Sequence, residues 1–192
     1  MKKVIFSLIF LILGVFLGGF WANRQINNTA KDPNLIIRSG VWGYFPSMDL
    51  AASDIQRAYI GRIGLLALQE SEVLYFVAAQ DEDGNPLNSA YNYKLSGKNF
   101  DARYWSYTLY GKDHFLIPNE EERFTFNLEN IEYADSTHSQ YDIFISKEEK
   151  GKNWLPSGNA ENMSILLRMY NPEEHVYKNK EQLELPKIIK VD

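Results

Sequence analysis

The chain has 192 residues, with 25 acidic against 20 basic side chains and a formal net charge of −5. It holds no Cys, which excludes disulfides and a lipidated N-terminal cysteine. No Lys/Arg cluster occurs, so the acidic balance argues against nucleic acid or an anionic lipid surface as partner. Aromatic content is 14%, with 12 Tyr and 4 Trp, as expected of a β-rich core or an aromatic binding surface.

Lys2 and Lys3 precede an unbroken apolar run from Val4 to Trp21. Thirteen of the residues from Val4 to Phe20 are Val, Ile, Leu or Phe. Near a helix centre they favour membrane insertion by about 4 to 8 kcal/mol. As a helix the run is about 27 Å long, close to the hydrocarbon thickness of about 30 Å. The competing reading is a cleaved signal peptide, whose apolar stretch is about 7–15 residues long and ends at a small-x-small site. A cut after Ala22 puts bulky Phe20 where a small residue is needed, and a cut after Gly19 puts Leu17 there. An uncleaved anchor over residues 1–22 is therefore expected. Positive charge stays cytoplasmic, which predicts a single-pass inner-membrane protein with a periplasmic C-terminal domain. Gly14, Gly18 and Ala22 form a small-xxx-small stripe, the pattern by which two membrane helices approach closely. A dimer through that stripe is a candidate partnership.

Residues 23–34 are polar and read as a tether. Residues 35–192 then suit a single domain. Ser53 to Leu68 is the best soluble helix: Ser53 and Gln56 have capping-box spacing, and Ile55, Tyr59, Ile63 and Leu66 recur on one face. Gly61 and Gly64 weaken it by about 1 kcal/mol each relative to Ala. Beyond Glu72 the pattern turns to strands at Val73 to Ala79, Tyr91 to Leu95, Arg103 to Tyr110, Phe115 to Ile117, Phe124 to Leu128, Tyr141 to Ile145 and Ser164 to Tyr170. Asp83-Gly84 marks a tight turn. Short strands separated by Gly, Pro and Asn predict a mainly β domain with one or two helices, an antiparallel sandwich or jelly roll. The helix is expected to pack at one end of the sandwich or across a face.

A set of ordered pieces adds a resemblance. Glu72-x-x-Tyr75, Asp81-x-Asp83-Gly84-x-Pro86-Leu87, Tyr104-Trp105-Ser106-x-Thr108-Leu109-Tyr110, Asn153-Trp154-Leu155-Pro156 and Leu167-Arg168-x-Tyr170 resemble the domain of unknown function 1214 family. Arg57-Ala58, Gly64 and Ala67-Leu68 fit the same pattern, and the match covers about residues 40–172. The resemblance implies a jelly-roll β-sandwich in a short, membrane-anchored bacterial form, without the companion domain of unknown function 1254 of larger relatives. The chain departs from that subgroup at Asn92, where Cys is expected, and at Ala134 to Gln140, which lacks the usual Asp-Gly turn. No reaction is implied.

The candidate residues divide by chemistry. Arg103, Trp105, Tyr107 and Leu109 alternate with Tyr104, Ser106, Thr108 and Tyr110, so one face of this strand is core and the other is a candidate ligand platform. Arg57 and Arg168 lie in apolar patterns and need a carboxylate, such as Asp54, Glu70 or Glu72, several carbonyls, or an anionic ligand. Asn153 and Trp154 precede the last strand in a loop, where they either plug the core or line a pocket. Asp81 to Asn85 matches only the opening of a calcium loop, whose twelfth position, Asn92, lacks the required Glu. His114, His138 and His175 have no ligand spacing, so no metal and no cofactor is expected. The composite expectation is an envelope module that binds a ligand or protein through Trp105, Tyr107, Arg103, Asn153, Trp154, Arg168 and Arg57. Its rival is an envelope enzyme acting on glycan or lipid-derived substrates through Glu72, Asp81 and Asp101, with Arg168 holding an anion.

Overall fold

The computed structural model describes residues 2–29, 31–32, 35–45, 53–66 and 68–192. Met1, Ala30, Pro33 and Asn34 of the anchor and tether, Ala67, and residues 46–52 of the family-like region lie outside them. Two compact units result. One joins Met1–Leu35 with Ser47–Ala67, and the other joins Ile36–Pro46 with Leu68–Asp192.

In the first unit, helix α1 runs Lys2–Thr29 and no described residue of it is buried. It continues seven residues past Ala22, so the polar stretch read as a tether is helical as far as Thr29. Helix α2 spans Asp54–Arg62 and opens on the expected capping box. The Ser53 hydroxyl accepts from the Gln56 N–H, and the Gln56 side chain accepts from the Ser53 N–H. The helix ends well short of Leu68, because Gly64 takes φ +79°, the left-handed conformation that terminates helices. Helix α2 groups with α1, and Arg62 donates to Asn27 and Asn23 at 2.8 and 3.0 Å.

The second unit is the expected sandwich. Its larger sheet holds six strands in the order β1 (Ile37–Ser39), β2 (Trp42–Tyr44), β3 (Val73–Ala78), β9 (Ser164–Pro172), β5 (Ala102–Tyr110), β6 (Thr125–Asn127), all antiparallel. The smaller sheet holds β10 (Lys187–Val191), β4 (Asn92–Lys98), β7 (Gln140–Ser146) and β8 (Trp154–Pro156). Trp42, Phe76, Trp105, Tyr107, Leu167 and Met169 from the first meet Tyr93, Leu95, Tyr141, Ile143, Ile145 and Ile188 from the second in one core. Each such large side chain contributes about 1.5–3 kcal/mol on burial.

Three expectations change. Asn153 to Pro156, expected as loop, ends in strand β8, which pairs with β7 in parallel, Phe144 opposite Trp154. The smaller sheet is therefore mixed rather than antiparallel. Phe115 to Ile117, expected as strand, makes only one bridge, Leu116 with Tyr110, and leaves Phe115 exposed. Strands β1, β2 and β10 and the short helix α3 (Glu174–Lys178) had no sequence expectation.

Candidate functional site

Strand β5 follows the alternation expected of it, and that fixes the fate of its candidates. Trp105 and Tyr107 point into the core and are fully buried, so neither is part of an open ligand surface. Trp105 stacks on Tyr141 with ring centroids 4.9 Å apart. The Tyr107 and Tyr141 hydroxyls lie 2.7 Å apart, and Tyr141 donates onward to the Lys98 carbonyl at 3.0 Å. Tyr107 therefore donates to Tyr141. Burial pushes both phenols up from the ordinary tyrosine value. Arg103, nominally on the same side, sits at the strand's open end and is exposed.

The candidates on the second loop are also structural in place. Asn153 is buried; its amide donates to the Glu132 and Asp142 carbonyls at 2.6 and 2.9 Å, and its oxygen accepts from the Glu132 N–H at 2.8 Å. Trp154 is buried and donates its indole N–H to the Ser146 carbonyl at 3.1 Å. Arg123 lies over the Trp154 ring, 5.6 Å from its centroid. Both fasten β8 to its neighbours. Arg57 is exposed on α2 and does not point inward.

Arg168 alone among the candidates sits on a partly open sheet face. On β9 it lies opposite Ser106 of β5 and Tyr75 of β3. Tyr104, Thr108 and Tyr110 share that outer face, as do Leu166 and Tyr170. The Tyr104 and Tyr170 rings pack at 5.8 Å. Among the described residues Arg168 has no carboxylate within 4.0 Å. It donates to the Thr108 hydroxyl at 3.2 Å and the Tyr110 hydroxyl at 2.8 Å, and stacks over the Tyr110 ring at 5.6 Å. Period-2 alternation already separates Tyr104, Thr108 and Tyr110 from the core set, but the β5–β9 pairing that brings Arg168 to them has no local signature.

The carboxylates are dispersed. Asp81 is 1% exposed and its side chain accepts from the Asp83 and Asn85 N–H groups, which makes it the brace of the turn rather than a free acid. Asp101 pairs with His175 at 3.0 Å on an exposed surface, and Glu72 is exposed. Among the described residues no group of three or more His, Cys, Asp or Glu could hold a metal ion. One opening has no sequence signal: a groove of about 770 Å³ lined by Gly111 to Asp113, Phe115 to Pro118 and Asn159 to Glu161.

A two-sheet β module with a hydroxyl- and tyrosine-bearing outer face is thus the class that the geometry defines. The model of the family described as Protein of unknown function (DUF1214) matches residues 72–174, and the chain belongs to that family. Among solved structures it is similar to the VPA0106 protein from Vibrio parahaemolyticus, at 25% identity and a TM-score of 0.60, over 72% of this chain and 34% of that one. It is also similar to a putative uncharacterized protein from Burkholderia cenocepacia, at 14% identity and a TM-score of 0.46, over 92% of this chain and 42% of that one. The chain therefore spans well under half the length of either. No curated protein matches it.

Proposed function

We propose that the protein is a membrane-anchored envelope module, its sandwich held on the periplasmic side, where it binds a ligand or another envelope protein without transforming it. The observation that carries this reading is α1. From Lys2 to Trp21 every described residue is exposed, including Phe6, Phe10, Phe16 and Phe20. So long an apolar surface is stable only in an apolar medium. It is the one helix among the described residues long and apolar enough to cross a membrane. Charge supports the same division. The unit containing α1 carries six basic and three acidic residues, the sandwich unit fourteen and twenty-two. Lys2 and Lys3 at the start of α1 favour a cytoplasmic N-terminus.

The enzyme reading has less support. It needs two carboxyls facing a shared cleft, yet Asp81 is bound into its own turn and Asp101 is paired with His175. The test is two-part. Full-length protein is expected in the membrane fraction, resistant to alkaline carbonate and released by detergent. Purified in detergent, it is expected to gain thermal stability with at least one member of a panel of envelope glycans, lipids and organic acids, with the added compound recovered unchanged. A carbonate-soluble protein, or turnover of a panel member, contradicts the proposal.

A further inference from the structure

We infer that Arg168, with the hydroxyl of Tyr110, forms a binding site for a small oxyanion, the carboxylate or phosphate group of a larger ligand. The inference rests on the binding-module reading and names the chemistry of its site. The β5–β9 register sets Thr108 opposite Leu166 and Tyr110 opposite Ser164, one and two rows beyond Arg168 itself. To reach both hydroxyls the Arg168 side chain extends along the sheet toward the Thr108–Leu166 row.

What it finds there is chemically one-sided. A guanidinium has five N–H donors and is charged at any pH the protein meets. Two of the five go to neutral hydroxyl oxygens. Tyr110 accepts one of these, so its own O–H proton is left to donate. Thr108 is differently placed: its oxygen is 3.5 Å from the Thr125 hydroxyl, which bonds the Tyr107 carbonyl at 2.7 Å. Three N–H groups of Arg168 and the Tyr110 O–H are therefore left without an acceptor among the described residues. Arg123 uses the Trp154 carbonyl and ring, whereas two other half-buried cations of the sandwich have carboxylates, Lys180 with Glu70 at 2.9 Å and Lys94 with Asp142 at 3.5 Å. Among the described residues Arg168 has no such partner within 4.0 Å.

A half-buried cation held by neutral oxygens is incompletely compensated, and a planar fork is matched by the two oxygens of a carboxylate or phosphate. The Tyr110 hydroxyl bond and the ring 5.6 Å away hold the guanidinium in place before a ligand arrives. Because the sandwich unit carries more acidic than basic residues, the long-range field does not attract anions. Recognition is local, so exchanging Arg168 should abolish it rather than weaken it in proportion to net charge.

The test is a titration of the full-length chain in detergent with sodium acetate, benzoate and phosphate, at ionic strength held constant with sodium chloride. Melting temperature and intrinsic fluorescence are the readouts. The expected result is a saturable rise in melting temperature with carboxylate or phosphate and none with chloride. It should be absent in Arg168→Met and shifted to about tenfold higher ligand concentration or more in Tyr110→Phe and Arg168→Lys, about 1.4 kcal/mol. Tyr110→Phe removes one exposed-side hydroxyl only, so it tests the site even if Arg168→Met does not fold. Benzoate without phosphate, or the reverse, assigns the source of the oxyanion. No saturable response to any of the three, or a response unchanged in Tyr110→Phe and Arg168→Met, overturns the inference. If neutral glycans or an envelope protein bind while the oxyanions do not, the oxyanion site falls and the module reading stands.

Discussion

Among single residues, the buried tyrosine chain gives the sharpest stability contrast. Tyr107 donates to Tyr141, and Tyr141 to the Lys98 carbonyl. Tyr141→Phe strands the fully buried Tyr107 hydroxyl and should cost about 1–3 kcal/mol. Tyr107→Phe leaves the Tyr141 bond intact and should cost only about 0.5–1.5 kcal/mol. Urea unfolding of the two variants, followed by tryptophan fluorescence, checks the order; equal costs would contradict it. The Tyr141 ring also explains Gly97, where a Cβ would lie 2.9 Å from that ring.

Asp135 shows how the chain closes the turn before β7 without an Asp-Gly pair. Its carboxylate accepts from the Ser139 and Gln140 N–H groups at 3.0 and 2.8 Å and from the Thr137 and Ser139 hydroxyls. The hydrogen bonds, that of Thr137 foremost, hold its pKa well below the ordinary 3.8. Since the folded value is depressed, the stabilisation is fully present above pH 3.8 and is lost as pH falls below it. Asp135→Asn should therefore flatten stability against pH in that acid range, which thermal melts across it would show. A slope unchanged from wild type there would sink the assignment.

Among the elements, the legible ones are those whose local pattern is strong. The Ser53 capping box, the alternation of β5 and the apolar run of α1 are all local, and all three are in place. Helix α2 is shorter than its hydrophobic spacing suggests, because the spacing continues past Gly64 whereas the helical backbone stops before it. Strand β8 carries no alternation in its three residues ending in Pro156; it is held by Asn153 and Trp154, whose partners lie on the neighbouring strand β7. Non-local pairing also explains Arg168, which stands out in an apolar pattern yet meets hydroxyls rather than the carboxylates expected for it. For Trp105 and Tyr107, alternation shows an aromatic face but not which face is open; the second sheet decides that by covering them.

The stripe on α1 belongs with the elements too. A Cβ at Gly14 or Gly18 meets nothing within 4 Å inside the chain, so neither glycine is required by internal packing. If the stripe mediates a dimer, Gly14→Leu with Gly18→Leu should abolish the membrane-embedded dimer on crosslinking while leaving the sandwich's melting unchanged. Crosslinking equal to wild type would remove this interface.

For the whole molecule, the proposed placement sets an apolar helix and an acidic sandwich in different media. Membership of the family described as Protein of unknown function (DUF1214) secures the fold over residues 72–174; the proposed placement across a membrane rests on the physics of the N-terminal segment alone. The absence of Cys makes that placement directly measurable. Single substitutions Glu149→Cys and Glu161→Cys, both at exposed positions of the sandwich, introduce one thiol each into full-length protein. Cells with a permeabilised outer membrane and an intact inner membrane would be treated with a membrane-impermeant maleimide. Labelling of both variants before the inner membrane is broken is the expected result. Labelling only after lysis would place the sandwich in the cytoplasm and contradict the proposed envelope role.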